Sequence, residues 1–142
     1  MQGTYDLTLH RYGPERIIGS VHVELPDELT ASEIHLLTRT ITEDVYTSFG
    51  IILTVGIYAS NTAEGIFAEM KKALQEEISR YPDILQMHCF YVDTERMLVS
   101  FDIVIDFASE RKVEIQQEIV RAMQEAYPEY QFMAVLDSDF SD

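Results

Sequence analysis

The sequence is short of cations, of cysteine and of long apolar runs. Its 142 residues carry 10 Lys and Arg against 25 Asp and Glu, a formal charge of −15. Nucleic acid and anionic membrane surfaces both reward Lys and Arg, so neither is expected as a partner, and the charge is compatible with binding cations. A single cysteine, Cys89, excludes an internal disulfide framework and suits a reducing compartment. The longest uncharged apolar stretch, Ile51 to Ala59, falls far short of the roughly 17–25 residues of a membrane helix. Met1 leads straight into a strand-like pattern, with no basic and then apolar leader. No HExxH, paired CxxC, Gly-rich phosphate loop or GxSxG elbow occurs. The expectation is a soluble, intracellular-type chain that is not an enzyme.

What is present is ordinary globular material, 46% apolar and 25% charged. Tyr5, Leu7 and Leu9 alternate with Asp6, Thr8 and His10, which predicts a strand. A Gly13-Pro14 turn leads to a second strand, with Val21, Val23 and Leu25 opposite His22 and Glu24. Thr30-Ala31-Ser32-Glu33 is a capping box, and Ile34, Leu37, Ile41 and Val45 give the helix it opens an apolar stripe. Gly50 ends that helix before a β-branched strand, Ile51 to Tyr58. Asn61-Thr62 reads as the cap of a second helix with Ile66, Met70, Ala73, Leu74 and Ile78 on its stripe.

The pattern then restarts: strands at Leu85 to Val92 and Met97 to Phe107, and a helix capped by Ser109 with Ile115, Ile119, Ala122, Met123 and Ala126. A strand from Tyr130 to Leu136 closes it. Arg16 and Arg96 open corresponding strands, and Ser20-Val21-His22-Val23 lies over Ser100-Phe101-Asp102-Ile103, both at a spacing of 80 residues. An internal repeat governs the fold assignment. The chain reads as α+β, two ββαβ repeats over residues 1–61 and 83–142 joined by a helix within 62–82, in a metallochaperone-like or ferredoxin-like sandwich.

Four residues of the second repeat fall where strands could bring them together: His88 on the first strand, Asp102 on the second, Asp137 and Asp139 at the end of the third. Imidazole with carboxylates suits zinc, manganese or iron without choosing among them. The ordinary reading is that three of many carboxylates meet on a solvated surface, with His88 making one hydrogen bond. His22 and His35 are lesser candidates, His10 a solvated turn residue, and the methionines core filler. Cys89 adjoins His88, but strand neighbours point to opposite faces, so no nucleophile–base pair is expected.

These residues carry a resemblance. Tyr5-Asp6-Leu7, His10-Arg11-Tyr12-Gly13-Pro14-Glu15-Arg16 and Ser20-Val21-His22-Val23-Glu24 resemble the opening of the cytoplasmic C-terminal domain of cation diffusion facilitator transporters. His88-Cys89-Phe90, Phe101-Asp102-Ile103-Val104-Ile105 and Asp137-Ser138-Asp139 resemble a second copy of it. The resemblance implies a soluble dimerising domain at the cytoplasmic face of a bacterial cell membrane. Its partners would be a second copy and the transporter's membrane domain, and its role would be to tune divalent-cation export. It also implies where ligands lie. In the first repeat the positions hold Tyr5, His22, Tyr58 and Ser60, a poor donor set; in the second they hold His88, Asp102, Asp137 and Asp139, all able to ligate. The rival expectations are a metal-free dimerisation scaffold and a stand-alone ACT-like small-molecule sensor.

Overall fold

A computed structural model describes residues 1–62 and 65–137. The chain is α+β and divides into two compact units, residues 1–62 and 63–142, each built on a three-stranded sheet. In unit 1 the order is β1 (Gly3–Tyr12), β2 (Arg16–Pro26), α1 (Ala31–Phe49) and β3 (Ile51–Ser60). In unit 2 it is α2 (Ile66–Ile78), β4 (Ile84–Asp93), β5 (Leu98–Ile105), α3 (Lys112–Ala126) and β6 (Gln131–Asp137). Each unit pairs its first two strands antiparallel and its last two parallel, with a helix making the crossover. The ββαβ repeat is therefore present twice.

Local chemistry explains the element ends. Thr30 and Glu33 form the reciprocal capping box, and Gly50, in the left-handed region at φ 69°, donates its amide to Tyr46 and stops α1. The β4–β5 turn is held by Asp93, whose Oδ1 accepts the amides of Glu95 and Arg96 at 3.1 and 3.0 Å. Two caps differ from the sequence reading. Thr62 does not cap α2, which starts after Gly65 without a side-chain cap; its amide and hydroxyl donate to Asp27 Oδ1 at 3.1 and 2.7 Å. Ser109 donates to Asp83 at 2.5 Å and accepts the Arg111 amide, so α3 also begins without a side-chain cap. In both cases a nearby aspartate competes successfully for the hydroxyl.

The two units are unequally cored. In unit 2, α2 contributes Met70 and Leu74 and α3 contributes Ile115, Ile119 and Met123 to a buried cluster. They pack against Phe90, Val92, Val99, Phe101, Ile103, Ile105, Phe132 and Ala134 of the sheet. The helix that the sequence presents as a link is thus part of unit 2's core. Unit 1 has one helix for three strands. Its buried apolar side chains are Val21, Val23 and Leu25, all on β2, and none of α1 is buried. The stripe of α1 is where the sequence predicts it, but Leu7 and Leu9 on β1 remain 60% and 49% exposed.

That difference in coring sets the expected cost of truncation. Phe101→Ala should destabilise unit 2 by about 3–5 kcal/mol, the range for emptying a buried aromatic site, measured as a shift in denaturant midpoint. In unit 1, acid should act through two carboxyls. The Thr62 hydroxyl holds the Asp27 carboxyl below its ordinary value, and the Thr30 amide, then its hydroxyl, does the same for Glu33. A depressed folded-state carboxyl contributes stability that is complete above its unfolded value and is lost as pH falls through the folded one. Melting followed by circular dichroism should show that loss setting in as pH drops below the ordinary values of 4.5 for Glu33 and 3.8 for Asp27. Asp27→Asn combined with Glu33→Gln should flatten the decline.

Candidate metal centre

The first strand of each unit carries an extra residue at the same place. Between the pairs His88–Asp102 and Tyr91–Ser100, Cys89 and Phe90 stand opposite Phe101 alone. Between Tyr5–His22 and Thr8–Ser20, Asp6 and Leu7 stand opposite Val21 alone. Both extra residues adopt a left-handed backbone, Cys89 at φ 59° and Asp6 at φ 57°. This is a β-bulge, which bends the strand and re-aims a side chain. It overturns strict alternation in both strands: Phe90 stays in the core, and Cys89 turns to the same face as His88.

The consequence is the main correction to the sequence reading. His88 and Cys89 do meet, with Nδ1 and Sγ 2.9 Å apart. The His88 side chain is 2% exposed. Its strand partner Asp102 places Oδ2 3.7 Å from the same Nδ1, and Asp137 places Oδ2 3.3 Å from Nε2 on the other side of the ring. One donor atom each from His88, Cys89 and Asp102 lies within 4.8 Å of the other two. The face of β5 away from its apolar residues holds Asp102 because Phe101, Ile103 and Ile105 occupy the core side, as their alternation predicts.

Of the four ligands expected in the second repeat, then, His88 and Asp102 converge on one nitrogen. Asp137 sits on the other nitrogen, so it cannot share with them an ion bound at Nδ1. Asp139 lies outside the described residues. Cys89 was missed, although one signal for it exists. The core positions of β4 run Met87, Phe90, Val92, a step of three inside a period of two. That slip marks an inserted residue.

Unit 1 has the same backbone and different side chains. Tyr58 donates to Asp6 Oδ2 at 2.8 Å, and His22 Nδ1 lies 2.9 Å from that same oxygen, out of line for a hydrogen bond. The His22 ring stacks on Tyr58 at 4.3 Å and 14°. Gly56, beside His22 in the parallel register, makes room for the ring: a Cβ there would come 2.6 Å from Nε2. Tyr5 donates to Glu24 at 2.9 Å, and Ser60 to Gln2 at 2.6 Å. The hydroxyls of Tyr5, Tyr58 and Ser60 at the ligand positions of unit 1 are thus bonded to protein, and the His22 ring is held by stacking. His35 is exposed on α1, and no set of three potential donors forms within unit 1 among the described residues.

Comparison with protein-family models and with curated proteins finds no match to this chain. Among the described residues no helix is long and apolar enough to cross a membrane.

Gly56→Ala should push His22 off Tyr58 and cost about 1 kcal/mol, the worth of one aromatic pair. A proton spectrum would register it as loss of the ring-current shifts on the His22 protons.

Proposed function

We propose that this chain is a regulatory and dimerisation domain of a divalent-cation efflux transporter, and that it senses the cation at His88. The observation that carries the reading is the grouping of a buried imidazole with Asp102 and Cys89 on one sheet face. A face that gathers three metal-binding side chain types around one nitrogen suits a cation. The charge of −15 adds a long-range attraction for such ions. The resemblance of both repeats to the transporter domain supplies the biological setting, at the cytoplasmic face of the membrane.

Neutralising the Asp102 charge would tighten β4 against β5. Paired domains that pack differently when filled would bias the attached membrane domain, which is population shift through a distant site. A division of labour between units suits this scheme. Unit 2 holds the cation, and unit 1, with the hydroxyls of Tyr5, Tyr58 and Ser60 bonded to protein and Leu7 and Leu9 exposed, pairs with a second copy. Dimerisation is, in this proposal, the part assigned to unit 1.

Chelator-stripped chain should gain stability on adding zinc. At about a hundredfold excess over Kd the gain is about 2.7 kcal/mol, a rise in melting temperature of roughly 10 °C or more for a unit of this size. His88→Ala should abolish that rise. Leu9→Glu should weaken self-association in sedimentation velocity while leaving the zinc response intact. A wild-type chain indifferent to zinc, manganese and ferrous iron would remove the sensing half of the proposal.

A further inference from the structure

The bulge decides which cation the site takes. We infer that Cys89 is a thiolate ligand, that the site selects a borderline-soft cation of the zinc type over manganese, and that Asp137 is a positioning residue acting through His88. This rests on the reading of His88 as the sensing centre and adds the identity of the cation and of the third donor.

The geometry around the imidazole fixes the roles. Asp137 Oδ2 lies 3.3 Å from Nε2, and in the metal-bound form this scheme has that nitrogen carry the proton toward Asp137 while Nδ1, beside Cys89 and Asp102, ligates. A metal-bound histidine commonly gives its second N–H to a carboxylate, which fixes the tautomer and the ring. Zinc bond lengths in a tetrahedral site put nitrogen and sulfur about 3.5 Å apart, and nitrogen and carboxylate oxygen about 3.3 Å apart. The observed separations from Nδ1, 2.9 Å to Cys89 Sγ and 3.7 Å to Asp102 Oδ2, lie on either side of those values. Sub-ångström side chain adjustments therefore seat the ion, which displaces the thiol proton to solvent. Three protein donors leave one position for water. A thiolate favours zinc, cobalt or cadmium; manganese prefers oxygen donors.

The bulge in unit 1 provides the matched control. Its left-handed position carries Asp6, a residue type that tolerates that backbone, where unit 2 carries Cys89. Cys89→Asp is thus a substitution the bulge accommodates, and it converts the donor set to one imidazole and two carboxylates.

The test is titration of the full 142-residue chain with cobalt, zinc and manganese chlorides, followed by absorbance and calorimetry. Wild type should bind cobalt with a thiolate-to-metal charge-transfer band and prefer zinc to manganese by at least a hundredfold. Cys89→Ser should lose the band and weaken zinc at least tenfold. Cys89→Asp, with its fold checked by circular dichroism, should lose the band and narrow the zinc-to-manganese preference at least tenfold. Asp137→Asn should keep the band and weaken zinc by 10–100-fold, roughly the cost of losing an outer partner of a ligand. Metal binding that depends on His88 but gives no band, and is unchanged in Cys89→Ser, overturns this inference and leaves the sensing site standing. No binding by wild type overturns both.

Discussion

The polar face of each sheet depends on one residue held in a left-handed conformation within its first strand. An extended strand alternates its side chains, so two neighbours cannot share a face. Inserting Asp6 or Cys89 breaks the alternation once, and the remainder of the strand resumes its register with the core intact. In unit 2 the insertion keeps Met87, Phe90 and Val92 all on the apolar side while delivering His88 and Cys89 together to the other. Removing the extra residue would force a choice between core and centre.

The two units show what divergence can do on a constant backbone. Both have the bulge, the antiparallel and parallel pairings, and the helical crossover. In unit 1 the phenol of Tyr58 satisfies the bulge carboxylate and the ring of His22 lies flat on that same tyrosine. In unit 2 the residue aligned with Tyr58 is Asp137, short and charged, and it reaches the imidazole from the side opposite the thiol. The first arrangement closes on itself through aromatic stacking; the second keeps a nitrogen, a sulfur and a carboxylate oxygen within reach of one point. Core composition diverges in parallel. Unit 2 buries residues of both α2 and α3 in its core, whereas no residue of α1 is buried in unit 1.

Much of the fold was legible because it rests on short-range patterns. The capping box at Thr30, the stop at Gly50, the stripe of α1 and the alternation of Phe101, Ile103 and Ile105 are each local, and the observed elements follow them. Misread caps at Thr62 and Ser109 have one physical cause. A serine or threonine hydroxyl bonds to whichever acceptor the chain brings near, here Asp27 and Asp83, both distant in sequence. Of the centre, the pairing of His88 with Asp102 was readable, because cross-strand neighbours follow from hairpin register. The positions of Cys89 and Asp137 about the ring were not, since they depend on which way a strand bends and which ring nitrogen each group faces.

Amino-acid order alone determined the repeated ββαβ architecture, the apolar sides of its strands and helices, and the strong negative charge. Those properties are sums of local preferences and of residue counts, and they need no knowledge of neighbours in space. Tertiary structure decided that α2 belongs to unit 2, that the bulge turns Cys89 toward His88, and that Asp137 approaches the opposite side of the ring. Each is a matter of direction and distance between groups on different strands or helices, or of a single backbone angle, and such quantities exist only once the chain has packed.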